Sequence, residues 1–138
     1  MRFWDASALV PLCLAQPRTA DARRLQAQDP ELVVWWGSTI ECASAIARLH
    51  RDGVLTTADE STARELLTML RKSWFEVQPN DGVRDQALRL LRLHSLRAAD
   101  ALQLAAALEW AGAPPDGTLV TFDDRLRDAA QREGFSTP

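Results

Sequence analysis

Leu32-Val33-Val34-Trp35-Trp36 is an unbroken apolar run, followed at once by Gly37-Ser38. A strand with one wet face alternates apolar and polar side chains, whereas a run with no polar break suits a strand buried on both faces, the habit of parallel sheets. Upstream, Arg2–Asp5 reads as a first strand, followed by a helix over Ser7–Leu14. A second helix over Pro17–Gln28 presents Ala20, the stems of Arg23 and Arg24, and Ala27 as its inward stripe. Downstream, Ser38 starts a helix that runs to Asp52, stops at Gly53 and repeats Cys42, Ile46 and Leu49 at helical spacing. Thr57–Trp74 is a helix with Leu66, Leu67 and Leu70 inward, and Phe75–Gln78 a short strand punctuated by Pro79-Asn80. Helices over Val83–Leu93 and Arg97–Ala111 end at His94-Ser95 and Gly112–Pro115. Thr118–Phe122 is a strand, Asp124–Glu133 a helix, and Gly134–Thr137 a further edge strand. Strands alternating with helices predict an α/β fold: a central parallel sheet of about four to five strands, flanked by helices on both faces. The 138 residues suit one domain over residues 1–138.

Composition narrows the function. With 46% apolar residues the chain can build a core. The net charge of −3 argues against a domain that holds nucleic acid by bulk charge alone. It leaves room for a site in which metal ions supply positive charge beside a phosphate. Cys13 and Cys42 sit in apolar helical patterns with no Cys/His cluster, so zinc is not expected and buried reduced thiols are. Asp5 interrupts any apolar leader, and the longest apolar stretches, Ala8–Ala15 and Ala101–Leu108, are too short to span a bilayer. A cytosolic protein is the expectation.

Four acids stand where a parallel sheet presents its ligand edge. Asp5 follows the first strand, Glu41 and Asp100 lie in first turns of helices, and Asp123, with Asp124 beside it, follows the last main strand. Ligands of such sheets bind outside the carboxyl ends of the strands, where helix N-termini also point. Each acid also has an ordinary explanation. Asp5 and Asp123 suit N-caps, Ser38-x-x-Glu41 matches a capping box, and Asp100 complements a helix dipole. Capping does not require acids from several different strand ends.

The surroundings of these acids are as particular as their positions. Phe3-Trp4-Asp5-Ala6-Ser7-Ala8-Leu9, and Ser38-Thr39-Ile40-Glu41 with Ala45–Leu49, are similar to the opening Asp-x-Ser motif and the second acidic motif of PIN-domain ribonucleases. Arg97-Ala98-Ala99-Asp100-Ala101-Leu102-Gln103-Leu104-Ala105-Ala106-Ala107 resembles the third motif of the VapC toxin branch, and Val120-Thr121-Phe122-Asp123 the fourth. Gln103 stands where many relatives resemble His, a difference expected to be tolerated. The four motifs occur in order over nearly the whole chain.

The resemblance implies a Mg²⁺-dependent endoribonuclease, with Mn²⁺ able to substitute, acting as the toxin of a VapBC-type toxin–antitoxin pair. Asp5, Asp100 and Asp123 are then metal ligands, and Glu41 a ligand or the base for the attacking water. Asp124 is a competing candidate for the fourth acidic position. Ser7 and Thr121 have hydroxyls suited to orienting carboxylates or phosphate, and equally to a turn or cap. The implied partners are RNA, a VapB-type antitoxin and a second copy of the chain. His50 and His94 read as polar helix ends, Trp35 and Trp36 as core or dimer packing, and Arg18, Arg23, Arg24, Arg48 and Arg51 mostly as solvated faces.

Other classes fit less well. A phospho-acceptor receiver wants a lysine after a late strand, but the one lysine, Lys72, ends a helix. An Asp-x-Asp phosphatase wants an acid where Ser7 stands, and no P-loop motif occurs. A non-catalytic PIN-like binding module, or a PIN nuclease of RNA processing, remains the alternative within the fold.

Overall fold

The computed structural model describes residues 1–138. Four strands form one sheet: β1 (Arg2–Trp4), β2 (Leu32–Trp35), β3 (Phe75–Val77) and β4 (Leu119–Val120), in the order β3-β2-β1-β4. All three pairings are parallel, with Phe3 opposite Val33 and Leu119, and Val33 opposite Phe75. The expected C-terminal edge strand is reduced to one parallel bridge between Thr118 and Ser136.

Seven helices cover the sheet: α1 (Ala6–Cys13), α2 (Thr19–Gln28), α3 (Ser38–Arg51), α4 (Thr57–Arg71), α5 (Asp81–Leu93), α6 (Ala98–Ala111) and α7 (Asp124–Arg132). Side chains alternate across a strand, so each strand feeds two cores. Phe3, Val33, Trp35 and Leu119 face α5, α6 and α7, packing on Leu90, Leu104 and Leu126. Trp4, Leu32, Val34 and Val120 face α1 to α4, packing on Leu9, Leu25, Ile46 and Leu67. All four residues of β2 are buried, as the apolar run implies, but Trp36, the last residue of that run, lies beyond the strand and is 45% exposed. Cys13 and Cys42 are buried free thiols in the second core.

Three inward stripes or caps differ from the sequence expectation. In α2 the buried residues are Ala22 and Leu25, whereas Ala20, Arg23, Arg24 and Ala27 are exposed. Leu25 is the only large aliphatic in that helix, and its burial sets the rotation. Pro17 lies before the helix, which begins at Thr19. In α4 the inward face is Ala63 and Leu67, with Leu70 half-buried and Leu66 turned out. The burial of Ala63 and Leu67, four residues apart, sets the rotation and leaves Leu66 at the margin of the face. The helix ends at Arg71, so Trp74 reaches the core from the following turn. Finally, α3 has no capping box. Gly37 is its N-cap, and buried Ser38 turns inward to Gln103.

No helix is long and apolar enough to cross a membrane. Arg89 of α5 and His94 just after it both bond Glu133 beyond α7, tying the two helices together. His94 is the C-cap of α5, and His50 bonds Thr57 near the end of α3. Both histidines are thus polar helix-end residues.

The rotation of α4 has a direct test. Leu67→Ala, at 5% exposure, should cost about 2–4 kcal/mol in urea unfolding, and Leu66→Ala, at 37% exposure, under about 0.5 kcal/mol.

Candidate active site

β1 lies between β2 and β4, and the chain leaves it first toward β2 and β3, returning later to β4 on the other side. That reversal opens a crevice at the carboxyl edge of the sheet, the favoured ligand position of this architecture. A cavity of about 660 Å³ occupies it. Asp5, Glu41, Asp100 and Asp123 all line it, so the four acids singled out in the sequence come together.

Each acid is placed by the end of an element. Asp5 leaves β1 and caps α1, accepting the backbone N–H and the hydroxyl of Ser7 at 3.1 and 2.8 Å. Asp123 leaves β4 and caps α7, accepting the N–H of Leu126 on Oδ1 at 2.8 Å. Asp100 lies in the first turn of α6 and accepts the N–H of Arg97 on Oδ2. The cap and the site are therefore not alternatives, because in Asp100 and Asp123 the cap uses one oxygen and leaves the other free. Glu41 does no capping. Its Oε1 accepts the side-chain amide of Gln103 at 3.1 Å.

Ser7 and Thr121 form a hydroxyl net between these acids. Ser7 Oγ donates to Asp5, accepts the N–H of Phe122 at 2.8 Å and lies 3.3 Å from the Thr121 hydroxyl. Thr121 Oγ1 accepts the N–H of Asp123 at 3.1 Å. Arg127 reaches back to the Thr121 carbonyl at 2.9 Å and holds the same loop from outside. The side chain of Asp124 is 92% exposed, bonds Arg127 and stays out of the cavity. Of the tandem acids, Asp123 is the one at the cavity wall.

Charge is under strain here. Burial pushes the Asp5 carboxyl up to about 6 against the lowering effect of Ser7, and nearby Asp123 raises it further. Burial also takes Glu41 up to about 7, with Asp5 and Asp100 adding repulsion and Gln103 opposing it. Asp100 is raised by burial and by Asp123. Carboxylates crowded in this way favour a cation. The donors are all oxygens, which suits Mg²⁺ or Mn²⁺. No three acidic, histidine or cysteine side chains converge closely enough to enclose an ion by themselves. Wall carboxylates still fit Mg²⁺, which keeps several waters and takes one or two carboxylates directly.

Two residues outside the acidic set join the site. Arg48 is the one basic residue at the cavity wall, seven positions after Glu41 on α3. The other arginines behave as solvated or locally paired groups: Arg24 bonds Asp21, and Arg18 lies 4.3 Å from the centre of the Phe122 ring. Gln103, expected only to be tolerated, is buried and bonds both Ser38 and Glu41. A polar residue on an otherwise apolar helix face was the available signal, because buried amides need partners. Trp35 is a core residue, whereas Trp36 is 45% exposed with its ring edge-on to Trp35.

The chain matches the family model of the PIN domain over residues 2–132. It belongs to the PIN-domain family. None of the curated proteins compared with it matches. Among solved structures it is similar to a chain of a toxin–antitoxin complex from Klebsiella pneumoniae, with a TM-score of 0.64 and 16% identity over 89% of this chain and 87% of that one. At that identity the likeness concerns the fold.

The strained carboxyls predict how stability follows pH without metal. A carboxyl raised on folding stabilises the folded state relative to higher pH while it stays protonated, and that contribution is lost as pH rises through its folded pKa. In chelator the wild type should therefore lose stability between about pH 4 and pH 7, of order 3 kcal/mol from Asp5 alone. Asp5→Asn keeps a good N-cap, should retain only the parts due to Glu41 and Asp100, and should melt higher than wild type at pH 8. An unchanged pH profile in this variant, measured by thermal unfolding, would leave Asp5 as a cap and nothing more.

Proposed function

We propose that this chain, as a single PIN domain over residues 1–138, is a Mg²⁺-dependent endoribonuclease and the toxin of a VapBC-type pair. The observation that carries the proposal is the convergence of Asp5, Glu41, Asp100 and Asp123 on one cavity at the sheet's carboxyl edge. Asp5, Asp100 and Asp123 would hold the ion, and Mn²⁺ would serve in place of Mg²⁺. When bound, the ion supplies Lewis acidity toward a phosphate oxygen and lowers the pKa of water.

The chain's own groups would divide the remaining work. Ser7 and Thr121 hold the direction of Asp5 and of the Asp123 loop, and would thereby present these carboxylates to the ion. Glu41, whose carboxyl is raised to about 7, is suited to take a proton from the attacking water near neutral pH. Arg48, at the cavity wall, is suited to an RNA phosphate that reaches past the acids. With a net charge of −3, the protein would draw RNA through these local groups and the ion rather than through its overall field.

The toxin role draws support from the similarity to the VapC motifs and from the fold shared with a chain of a toxin–antitoxin complex. A cytoplasmic homodimer neutralised by a cognate VapB-type antitoxin completes the proposal. An antitoxin arginine is the natural occupant of the acidic cavity, because its fork matches carboxylates.

Purified protein should cleave RNA in Mg²⁺ or Mn²⁺ and not in chelator. Asp100→Asn should lower the rate at least a hundredfold, while Asp124→Asn stays within about twofold of wild type. A folded Asp100→Asn protein cutting at the wild-type rate would remove the site assignment. Expression of the chain alone should arrest growth, and co-expression of its antitoxin should restore it. Normal growth with abundant, soluble, intact protein would refute the toxin role.

A further inference from the structure

We infer that Gln103 is the positioning residue for Glu41, setting where the Glu41 carboxylate stands relative to Asp100. The inference rests on the nuclease function proposed above. Gln103 lies on α6 among Ala101, Leu104, Ala105 and Ala107, and it is 1% exposed. An amide in such a place is costly unless its atoms are partnered. All of its partners lie in the first turn of α3. Gln103 Nε2 donates to Ser38 Oγ at 3.0 Å and to Glu41 Oε1 at 3.1 Å, and its Oε1 lies 3.4 Å from Ser38 Oγ.

The contact orients both groups. Turning the amide over would set its carbonyl oxygen against the carboxylate of Glu41, so the carboxylate fixes the sense of the amide. In return, the N–H holds one carboxylate oxygen of a side chain that otherwise rotates freely about three bonds. Glu41 Oε2 is then left for the contents of the cavity. Gln103 and Asp100 are three residues apart on α6, hence on the same side of one rigid helix. The helix that carries Asp100 thus also carries the group that holds Glu41. Ser38 buttresses the amide from behind, which accounts for its burial in place of a capping role.

Gln103→Met keeps the length of the side chain and removes its donors. In that variant kcat for RNA should fall ten- to a hundredfold with KM nearly unchanged, and the rise in melting temperature given by Mn²⁺ should shrink, because a misplaced Glu41 no longer adds its charge to the field of Asp5, Asp100 and Asp123 around the ion. Gln103→His should recover part of both, because a neutral imidazole retains one N–H donor. Placed on a Glu41→Ala background, Gln103→Met should change neither the residual rate nor the Mn²⁺ effect. Should Gln103→Met fail to fold, Gln103→Asn, one methylene too short to reach both partners, gives the same readouts. Wild-type kcat and Mn²⁺ stabilisation in a folded Gln103 variant overturn the inference, as does an equal loss on the Glu41→Ala background. A wild-type protein that neither cleaves RNA nor gains stability from Mn²⁺ instead overturns the proposed function itself.

Discussion

The Ser7 hydroxyl joins the two strand ends on which the site is built. It donates to Asp5 at the end of β1 and accepts the backbone N–H of Phe122 just beyond β4, 115 residues away in sequence. Parallel pairing of β1 with β4 brings those ends side by side, and the hydroxyl closes the gap between them. Without this bond the buried Asp5 carboxyl would lose a donor that offsets its desolvation. The Thr121–Asp123 contact repeats the device one step further along the same loop. A charge can then be kept at the edge of an apolar core because neighbouring polar groups are committed to it.

That commitment leaves the site electrostatically incomplete. Three of the four acids are raised by burial, and the repulsions that raise them further all run between members of the set. The one basic wall residue, Arg48, stands two helical turns from Glu41. A fold optimised for its own stability would replace one of these acids with an apolar or amide side chain. Gathered in a single cavity, they store repulsion that a cation would relieve, the relation to stability expected of a metal-dependent site. Glu133 shows the contrast: it is satisfied by Arg89 and His94, and its carboxyl is lowered by them against its own desolvation.

Much of the architecture was legible along the chain. The unbroken run Leu32–Trp36 implied a strand buried on both faces; Leu32–Trp35 form the inner strand between β1 and β3, and Trp36 falls beyond it. The strand–helix order and the four acids at strand and helix ends were legible for the same reason, since each depends on residues within one or two turns of each other. Helix rotations were less so. The stripe of α2 is set by Leu25, and that of α4 by Ala63 and Leu67, because the neighbouring core decides which of several permissible faces turns inward. Ser38 followed by Glu41 carried the local mark of a capping box, but a partner 65 residues away captured the serine.

The sequence by itself determined the alternation of strands and helices, the apolar faces of the sheet, and the identity of the acids, because backbone propensity and side-chain periodicity act over a few residues. Only the tertiary structure decided which acids share a cavity, that Asp123 lines it while Asp124 turns to solvent, and that Gln103 holds Glu41. These outcomes depend on distances between residues far apart in the chain. Such distances exist only once the parallel sheet has brought the ends of β1, β2 and β4 to one edge and α6 has packed against them.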